Sequence, residues 1–155
     1  GKKGTVWEAG LRVPWAMRWP GKIKKGSVVN GVVSSLDLMP TFLDAGGAEV
    51  KEEWKLDGQS FLNLFDGSEE PNERILFWRQ GGSKGPRAMR EGKWKVVEDR
   101  KKGMKPALFD LTTDIGEATD LSELEGERFK AMLKKLDQWE SKLEEPRWGP
   151  GKVGE

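Results

Sequence analysis

The hydrophobic residues in the first third of the chain fall into short runs separated by turn-forming residues. Residues 11–19 are mainly apolar and are bounded by glycine and by a Pro-Gly pair, which predicts a short buried strand. Residues 28–33 contain four valines and predict a second strand. Serine and aspartate precede Pro40, and Gly46 follows, so residues 39–45 are predicted to form a short helix.

The second half of the chain shows a different pattern, with short β-prone runs followed by a helical one. A connecting stretch rich in charge and glycine, residues 47–74, precedes it. The predicted strands are 75–78, 87–90, 93–98 and 107–111, with Glu91-Gly92 as a hairpin turn. Apolar residues then recur at spacings of three and four and predict a long helix that packs on the sheet and ends at Pro146. They are Phe129, Met132, Leu133, Leu136, Trp139 and Leu143.

The composition excludes several kinds of chemistry. The chain of 155 residues has no His and no Cys, so it has no imidazole base, no thiolate metal ligand and no cysteine nucleophile. Its 27 basic and 26 acidic residues leave a net charge of +1, which argues against a dedicated nucleic-acid binder. No apolar stretch approaches the ~20 residues that span a bilayer. We therefore expect neither a nucleic-acid nor a membrane partner.

Charged residues along the predicted hairpin and turns are the next candidates. Four basic residues line the hairpin, and we interpret them as a solvated basic face that could also meet an acidic glycan: Arg87, Arg90, Lys93 and Lys95. Four acidic residues follow the last strand: Asp110, Asp114, Glu117 and Asp120. Their spacing is not that of an EF-hand, so a solvated turn is favoured over a loose Ca²⁺ site.

Three other charged residues are expected to have structural roles. Asp37 has no second carboxylate nearby, so helix capping is favoured over metal binding. Glu8 and Arg12 are four residues apart, and we expect them to pair or to cap the following strand.

The order of the motifs resembles that of the C-terminal part of the sulfatase family, within the alkaline-phosphatase-like superfamily. Six collinear segments carry the resemblance, and although each is weak alone, together they cover nearly the whole chain. They are Lys3-Gly4-Thr5-Val6-Trp7-Glu8-Ala9-Gly10-Leu11-Arg12-Val13-Pro14, Trp19-Pro20-Gly21-Lys22-Ile23, Ser34-Ser35-Leu36-Asp37-Leu38-Met39-Pro40-Thr41, Leu56-Asp57-Gly58-Gln59-Ser60, Arg87-Ala88-Met89-Arg90-Glu91-Gly92-Lys93-Trp94-Lys95, and Leu108-Phe109-Asp110-Leu111 with 114–121. Ala9 departs from the pattern, which prefers glycine there.

The resemblance implies a fold and a division of the chain. Residues 1–50 would be the last strands and helix of a large alkaline-phosphatase-like α/β catalytic domain, and residues 51–73 a connection. Residues 74–155 would form an α+β subdomain, a small antiparallel four-stranded sheet packed by a long C-terminal helix. The chain is then expected to be a C-terminal piece of a longer enzyme. On its own it should expose apolar strand surface around residues 13–17 and 28–33.

The resemblance also implies a chemistry, most of which lies outside this chain. The parent would hydrolyse sulfate esters of a small molecule or glycan, using a formylglycine, a bound Ca²⁺, and catalytic His and Lys side chains. It would be secreted, periplasmic or lysosomal. The formylglycine, metal ligands and His precede the Lys-Gly-Thr segment in the family, so the missing N-terminal catalytic portion is the implied partner. Ser83 does not fit the formylglycine pattern, because Gly85 stands where that pattern needs Pro or Ala.

One catalytic residue is carried over by the resemblance. Lys3 stands at the position of the family's sulfate-contacting lysine, and the Gly-Thr that follows favours it over Lys2. A compact ammonium group with three donors suits a sulfuryl or leaving-group oxygen. Arg90 and Lys93 are weaker substrate-binding candidates, on the basic hairpin.

Two alternatives remain open at this point. The chain could be a stand-alone module that binds nucleic acid or an anionic glycan through tryptophan and basic residues, although the near-zero net charge weighs against this. It could also belong to a related phosphoesterase, because the superfamily shares the scaffold. As the C-terminal piece of a sulfatase, the isolated chain is expected to be inactive, since the nucleophile that the resemblance implies is absent from it.

Overall fold

The computed structural model describes residues 3–65, 74–100 and 103–147. These residues divide into two compact units. The first joins the segment up to Pro14 to the chain from Arg74 onward, and the second comprises Trp15–Glu73. The assignment of residues 1–50 and 74–155 to a catalytic domain and a subdomain stays a prediction, but the N-terminal segment packs with the C-terminal part of the chain.

The first unit contains the four-stranded antiparallel sheet and the long helix that the sequence predicts. The strands lie in the order β1-β2-β3-β4, each paired with the next along the chain. Their bounds are Ile75–Arg79 for β1, Arg87–Glu91 for β2, Trp94–Glu98 for β3 and Ala107–Asp110 for β4. The β2–β3 turn is Gly92-Lys93, one residue later than predicted, because Glu91 pairs directly with Trp94. Gly92 supplies the positive φ of +56° that the tight turn requires.

One face of the sheet is covered by α3, which spans Gly126–Glu140. The strands and the helix share a buried apolar cluster of Met89, Val96, Leu108, Met132 and Leu136. Trp139 stacks on Phe77 with ring centroids 4.9 Å apart, as expected for a residue that packs on the sheet. The predicted end of the helix at Pro146 is wrong. The helix α3 ends at Glu140, and in the segment that follows the carbonyl of Glu144 accepts a hydrogen bond from Arg79 of β1.

The other face of the sheet is covered by the N-terminal segment. Val6 is buried with Ala88, Val97, Ala107, Phe109 and Leu111. A one-turn helix, α1, spans Glu8–Leu11. Ala9 therefore has helical backbone and needs no positive φ, which explains how alanine replaces the family's glycine there.

The second unit contains a short helix and several short turns. Helix α2 spans Leu38–Ala45 and confirms the predicted helix. Ser34 and Asp37 form a capping box ahead of it, so the structure confirms the capping role of Asp37. Asp37 also accepts a hydrogen bond from the backbone N–H of Gln59. Among the described residues of this unit, 15–65, there are also three short 3-10 turns: Ser35–Asp37, Glu52–Trp54 and Leu62–Leu64.

The two strands predicted in the first third of the chain are wrong. Residues 12–19 and 28–33 have no strand structure, and no strand lies anywhere in 15–65. Val13 is 65% exposed and Val28 83% exposed. An isolated β-prone run has no hydrogen-bonding partner, so propensity alone does not make it a strand. The exposure of these apolar residues agrees with the expected exposed surface. Across the described residues, no helix has the length and apolar character needed to cross a membrane.

Candidate functional site

The segment that carries Lys3 is fastened to the sheet at successive points. The side-chain amide of Gln80, just beyond β1, donates to the carbonyl of Gly4 at 2.9 Å. Val6 is 2% exposed, inside the apolar cluster on this face. The rings of Trp7 and Phe109 lie 5.8 Å apart. Lys3 itself is exposed and immediately precedes the anchored Gly4. The backbone of Lys3 is therefore held through the neighbouring Gly4, while its side chain is exposed to solvent.

A buried ion triad holds the far end of the same segment. The ammonium group of Lys95, in β3, lies 2.8 Å from a carboxylate oxygen of Glu8 and 2.7 Å from one of Glu117. The Lys95 side chain is fully buried, and the two carboxylates are 7% and 2% exposed. The Lys95 contact to Glu8 is a hydrogen bond, whereas the one to Glu117 Oε1 lacks hydrogen-bond geometry and acts through charge. Glu8 therefore has a structural role, as expected, but its ionic partner is Lys95, and no ion pair with Arg12 is found among the described residues.

Glu117 also binds the backbone of the segment. Its Oε2 atom accepts a hydrogen bond from the N–H of Glu8 at 2.6 Å, across 109 positions of the chain. Glu117 adopts a left-handed backbone with φ +54°, an uncommon conformation for a residue with a side chain. Asp114 stabilises this turn by accepting hydrogen bonds from the N–H groups of Ala118 and Thr119. These bonds, with that of Thr119 the strongest, lower the pKa of Asp114.

Arg90 lies next to this triad. It pairs with Lys95 across β2 and β3, so both side chains project from the face that carries the N-terminal segment. Its Nε donates to the carbonyl of Gly92 at 2.8 Å. Burial lowers the pKa of Arg90, and the nearby positive charge of Arg12 lowers it further, while Glu8 opposes both. Arg90 is thus a half-buried cation beside the segment that carries Lys3.

Lys93 occupies a different place. It lies in the β2–β3 turn, where its ammonium group bonds to Asp110 at 2.6 Å and sits 4.7 Å from the centre of the Trp94 ring. Its side chain is 49% exposed. The hydrogen bonds from Lys93 and then Thr112 lower the pKa of Asp110 to about 2.

The structure does not gather Lys3, Arg90 and Lys93 into one cluster. Arg90 pairs with Leu76, whereas the segment at Lys3 is held at Gln80, four residues further along. At about 3.3 Å per strand residue, these anchor points are about 13 Å apart. The roles of these three residues stay predictions.

The interpretation of the hairpin as one solvated basic face is wrong. Alternate residues of a strand point to opposite faces, so Arg87 faces α3 while Arg90 and Lys95 face the N-terminal segment. Arg87 is 5% exposed and Lys95 is fully buried, each surrounded by carboxylates. The sequence alone predicts a surface position for Lys95, because its buried partners Glu8 and Glu117 are distant along the chain. The sequence signal that indicates burial of Lys95 is the alternation of side chains along β3. Val96 lies on one face of the sheet and Val97 on the other, so Lys95 shares the face of Val97.

The acidic turn is solvated only in part, because Asp120 is exposed as expected whereas Asp110 and the Glu117 side chain are buried. Asp110 is bound to Lys93, Glu117 to Lys95, and Asp120 to the N–H of Leu108. Within residues 3–65, 74–100 and 103–147, no group of three or more acidic, His or Cys side chains is placed to hold a metal ion. The Ca²⁺ implied by the family resemblance therefore has no ligand set in this part of the chain.

Comparison with known proteins identifies the family. Residues 2–145 match the family model described as N-sulphoglucosamine sulphohydrolase, C-terminal. The ulvan-active sulfatase of Formosa agariphila is 42% identical over 67 residues, which are 43% of this chain and 13% of that protein. Arylsulfatase G of Canis lupus familiaris is 26% identical over 151 residues, which are 86% of this chain and 28% of that protein.

A solved structure extends the likeness to the fold. The crystal structure of Ps i-CgsB in complex with k-i-k-neocarrahexaose superposes with a TM-score of 0.74 at 28% identity, over 84% of this chain and 29% of that chain. The chain thus spans less than a third of the relatives that it matches. Its sheet and helix have the arrangement found in sulfatases of the alkaline-phosphatase-like fold. The chain belongs to the sulfatase family and corresponds to its C-terminal portion.

Proposed function

We propose that this chain is the C-terminal part of a sulfuric ester hydrolase and that Lys3 is its contribution to the catalytic centre. Two observations support the proposal: membership of the sulfatase family, and the anchoring of the Lys3 segment at Gly4, Val6 and Glu8. A cation that acts on a developing negative charge is most effective when its position is fixed before the reaction.

The role of Lys3 follows from its chemistry. Its ammonium group carries three N–H donors on a flexible stem, which suits a sulfuryl oxygen or the oxygen of the departing alcohol. Hydrogen bonds to these atoms strengthen as negative charge accumulates on them during S–O cleavage. The exposed side chain of Lys3 is free to reach such a group, while its backbone is held through Gly4.

The remaining catalytic groups are proposed to come from a preceding catalytic portion. A formylglycine supplies the nucleophile and Ca²⁺ supplies positive charge in the enzyme that we propose. The sequence has no Cys, and the described residues contain no acidic cluster that fits a metal ion. The 155-residue chain should therefore be inactive alone.

We further propose a sulfated carbohydrate as the substrate class. The printed names of two similar proteins support this class, since one is an ulvan-active sulfatase and the other was crystallised with k-i-k-neocarrahexaose. In this chain, the half-buried Arg90 and the half-exposed Lys93 are the basic side chains proposed to contact the glycan. An unchanged KM for a sulfated polysaccharide in Arg90→Ala and Lys93→Ala would contradict that role.

The main experiment uses the chain joined to its native upstream portion. Hydrolysis of an aryl sulfate is measured with Ca²⁺ present, for the wild type, Lys3→Ala and Lys2→Ala. We expect Lys3→Ala to lower kcat by about 100-fold or more, as the loss of one donor to a transition-state oxyanion does. Lys2→Ala is the matched control and should change kcat little. Equal losses in both variants, or phosphate-ester hydrolysis in preference to sulfate, would overturn the proposal.

A further inference from the structure

We infer that Lys95 and Glu117 are positioning residues that hold the Lys3 segment in place through Glu8. The part of this inference that concerns catalysis rests on the proposed function of Lys3. The three side chains come from three separate segments of the chain: α1, β3 and the turn after β4. Each lies in one of the segments that carry the family resemblance.

The energetics of the triad favour a role in geometry over one in stability. Lys95 is fully buried, and the Glu8 and Glu117 side chains are 7% and 2% exposed. Removing three charges from water costs free energy that their mutual attraction only partly offsets, and an apolar group of the same size often serves stability as well. With two carboxylates and one ammonium group, the triad also has a net negative charge. The apolar cluster around Val6 already packs the segment against the sheet. The charges of the triad therefore determine the position of the segment more than its stability.

The backbone of Glu117 supports the same conclusion. Its φ of +54° carries a steric cost that glycine would avoid. Glycine, however, could not supply the carboxylate that accepts the Glu8 N–H at 2.6 Å. The structure thus holds a strained residue at a point where the turn after β4 binds the backbone of the Lys3 segment.

The contact between Glu8 and Glu117 is close enough to Lys3 along the chain to affect the position of Lys3. Glu8 is five residues from Lys3, and between them the segment is held at Gly4 and Val6. Loss of the Glu8 anchor frees the end of α1 and removes the hydrogen bond that joins the backbone of the segment to the turn after β4. A lysine displaced by about 1 Å loses much of its effect on a transition state.

The first test measures amide hydrogen exchange in the 155-residue chain. In Glu117→Ala we expect the N–H of Glu8 to exchange about 10–100-fold faster, because its bond to a charged acceptor is lost while the Glu8–Lys95 pair remains. Glu117→Gln retains an acceptor oxygen and should show a smaller increase. Lys130→Met is the control, since it removes an exposed ion pair of α3 and should leave exchange of the Val6–Glu8 amides unchanged.

Two outcomes of this test would overturn the inference. One is unchanged exchange of the Val6–Glu8 amides in Glu117→Ala. The other is an equal increase in α3, which would show global destabilisation instead of release of the segment. If Glu117→Ala does not fold, Glu117→Gln decides, and an increase confined to residues 6–8 supports the inference.

The second test uses the longer enzyme and asks whether Glu117 acts through Lys3. We expect Glu117→Ala to lower kcat at least 10-fold with little change in KM, and to have no further effect in a Lys3→Ala background. Equal losses in both backgrounds would overturn the positioning role. If the wild-type enzyme does not hydrolyse sulfate esters, the proposed function fails, while the exchange measurements still decide whether Glu117 holds the segment.

Discussion

Arg87 and Glu140 connect the sheet to the helix, since an Nη atom of Arg87 in β2 donates to the Glu140 carboxylate in α3 at 2.8 Å. The same guanidinium bonds to Glu98 at 2.6 Å and lies 2.7 Å from Asp137. Arg100 reinforces the cluster by binding both Glu98 and Glu140. The packing of α3 on the sheet is therefore fixed by charge at one end as well as by its apolar stripe.

Substitution of Arg87 should destabilise the fold strongly. Arg87→Met leaves the largely buried carboxylates of Glu98 and Glu140 with Arg100 as their remaining partner, so we expect a loss of about 3 kcal/mol in the free energy of unfolding. Urea unfolding followed by tryptophan fluorescence measures this. Lys130→Met removes an exposed ion pair with Glu127 and should cost less than about 0.5 kcal/mol. Similar losses in the two variants would contradict the assignment.

The aromatic contact between β1 and α3 should show a measurable coupling energy. Phe77 and Trp139 are stacked at 4.9 Å with an angle of 9° between their planes. A double-mutant cycle with Phe77→Leu and Trp139→Leu should give a coupling of about 1 kcal/mol beyond the loss of buried area. Purely additive effects on the free energy of unfolding would show that the rings contribute through burial alone.

Local patterns were sufficient to predict the C-terminal half. The strands around Phe77, Met89, Val96 and Leu108 follow each other in sequence and pair with their neighbours, so short-range signals determine the sheet. The stripe through Met132 and Leu136 predicted α3 for the same reason. Contacts in this half that involve distant charges were not predictable in this way.

The candidate site depends on such distant charges. Lys95 and Glu8 are 87 positions apart, and no spacing rule connects them. The strands predicted near Val13 and Val28 failed for a related reason, because a strand needs a partner and these segments have none among the described residues. The sequence pattern indicated which residues were β-prone or charged, but which of them meet is decided by the fold.

The loop between β1 and β2 should not tolerate a side chain at Gly85. A Cβ atom there would overlap the carbonyl oxygen of Gln80, a backbone atom that cannot move without displacing the loop. We expect Gly85→Ala to lower the midpoint of thermal unfolding by several degrees, and to speed exchange at Gly4–Val6, because Gln80 binds Gly4. Gly126→Ala is the control. Open space surrounds that position at the start of α3, so alanine should be neutral or stabilising by up to about 1 kcal/mol.

Asp110 should make stability depend on pH in the acidic range. Its pKa is lowered to about 2 in the folded chain, chiefly by the hydrogen bond from Lys93 and then by that from Thr112. The pKa of an unperturbed aspartate is about 3.9, so between these two values the unfolded state binds more protons than the folded state. The contribution of Asp110 is therefore complete above about pH 4 and is lost as the pH falls toward about 2.

Two variants separate this contribution from general acid unfolding. The difference in free energy of unfolding between wild type and Asp110→Asn should be largest at about pH 5 and should shrink steadily toward about pH 2.5. Lys93→Met should raise the pKa of Asp110 toward its ordinary value, because the main hydrogen bond to that carboxylate is removed. Added salt should reduce the effect in the wild type, since the Lys93 side chain is 49% exposed. A gap between wild type and Asp110→Asn that stays constant from about pH 5 to about pH 2.5 would show that the Lys93 pair does not stabilise the folded chain through the carboxylate charge.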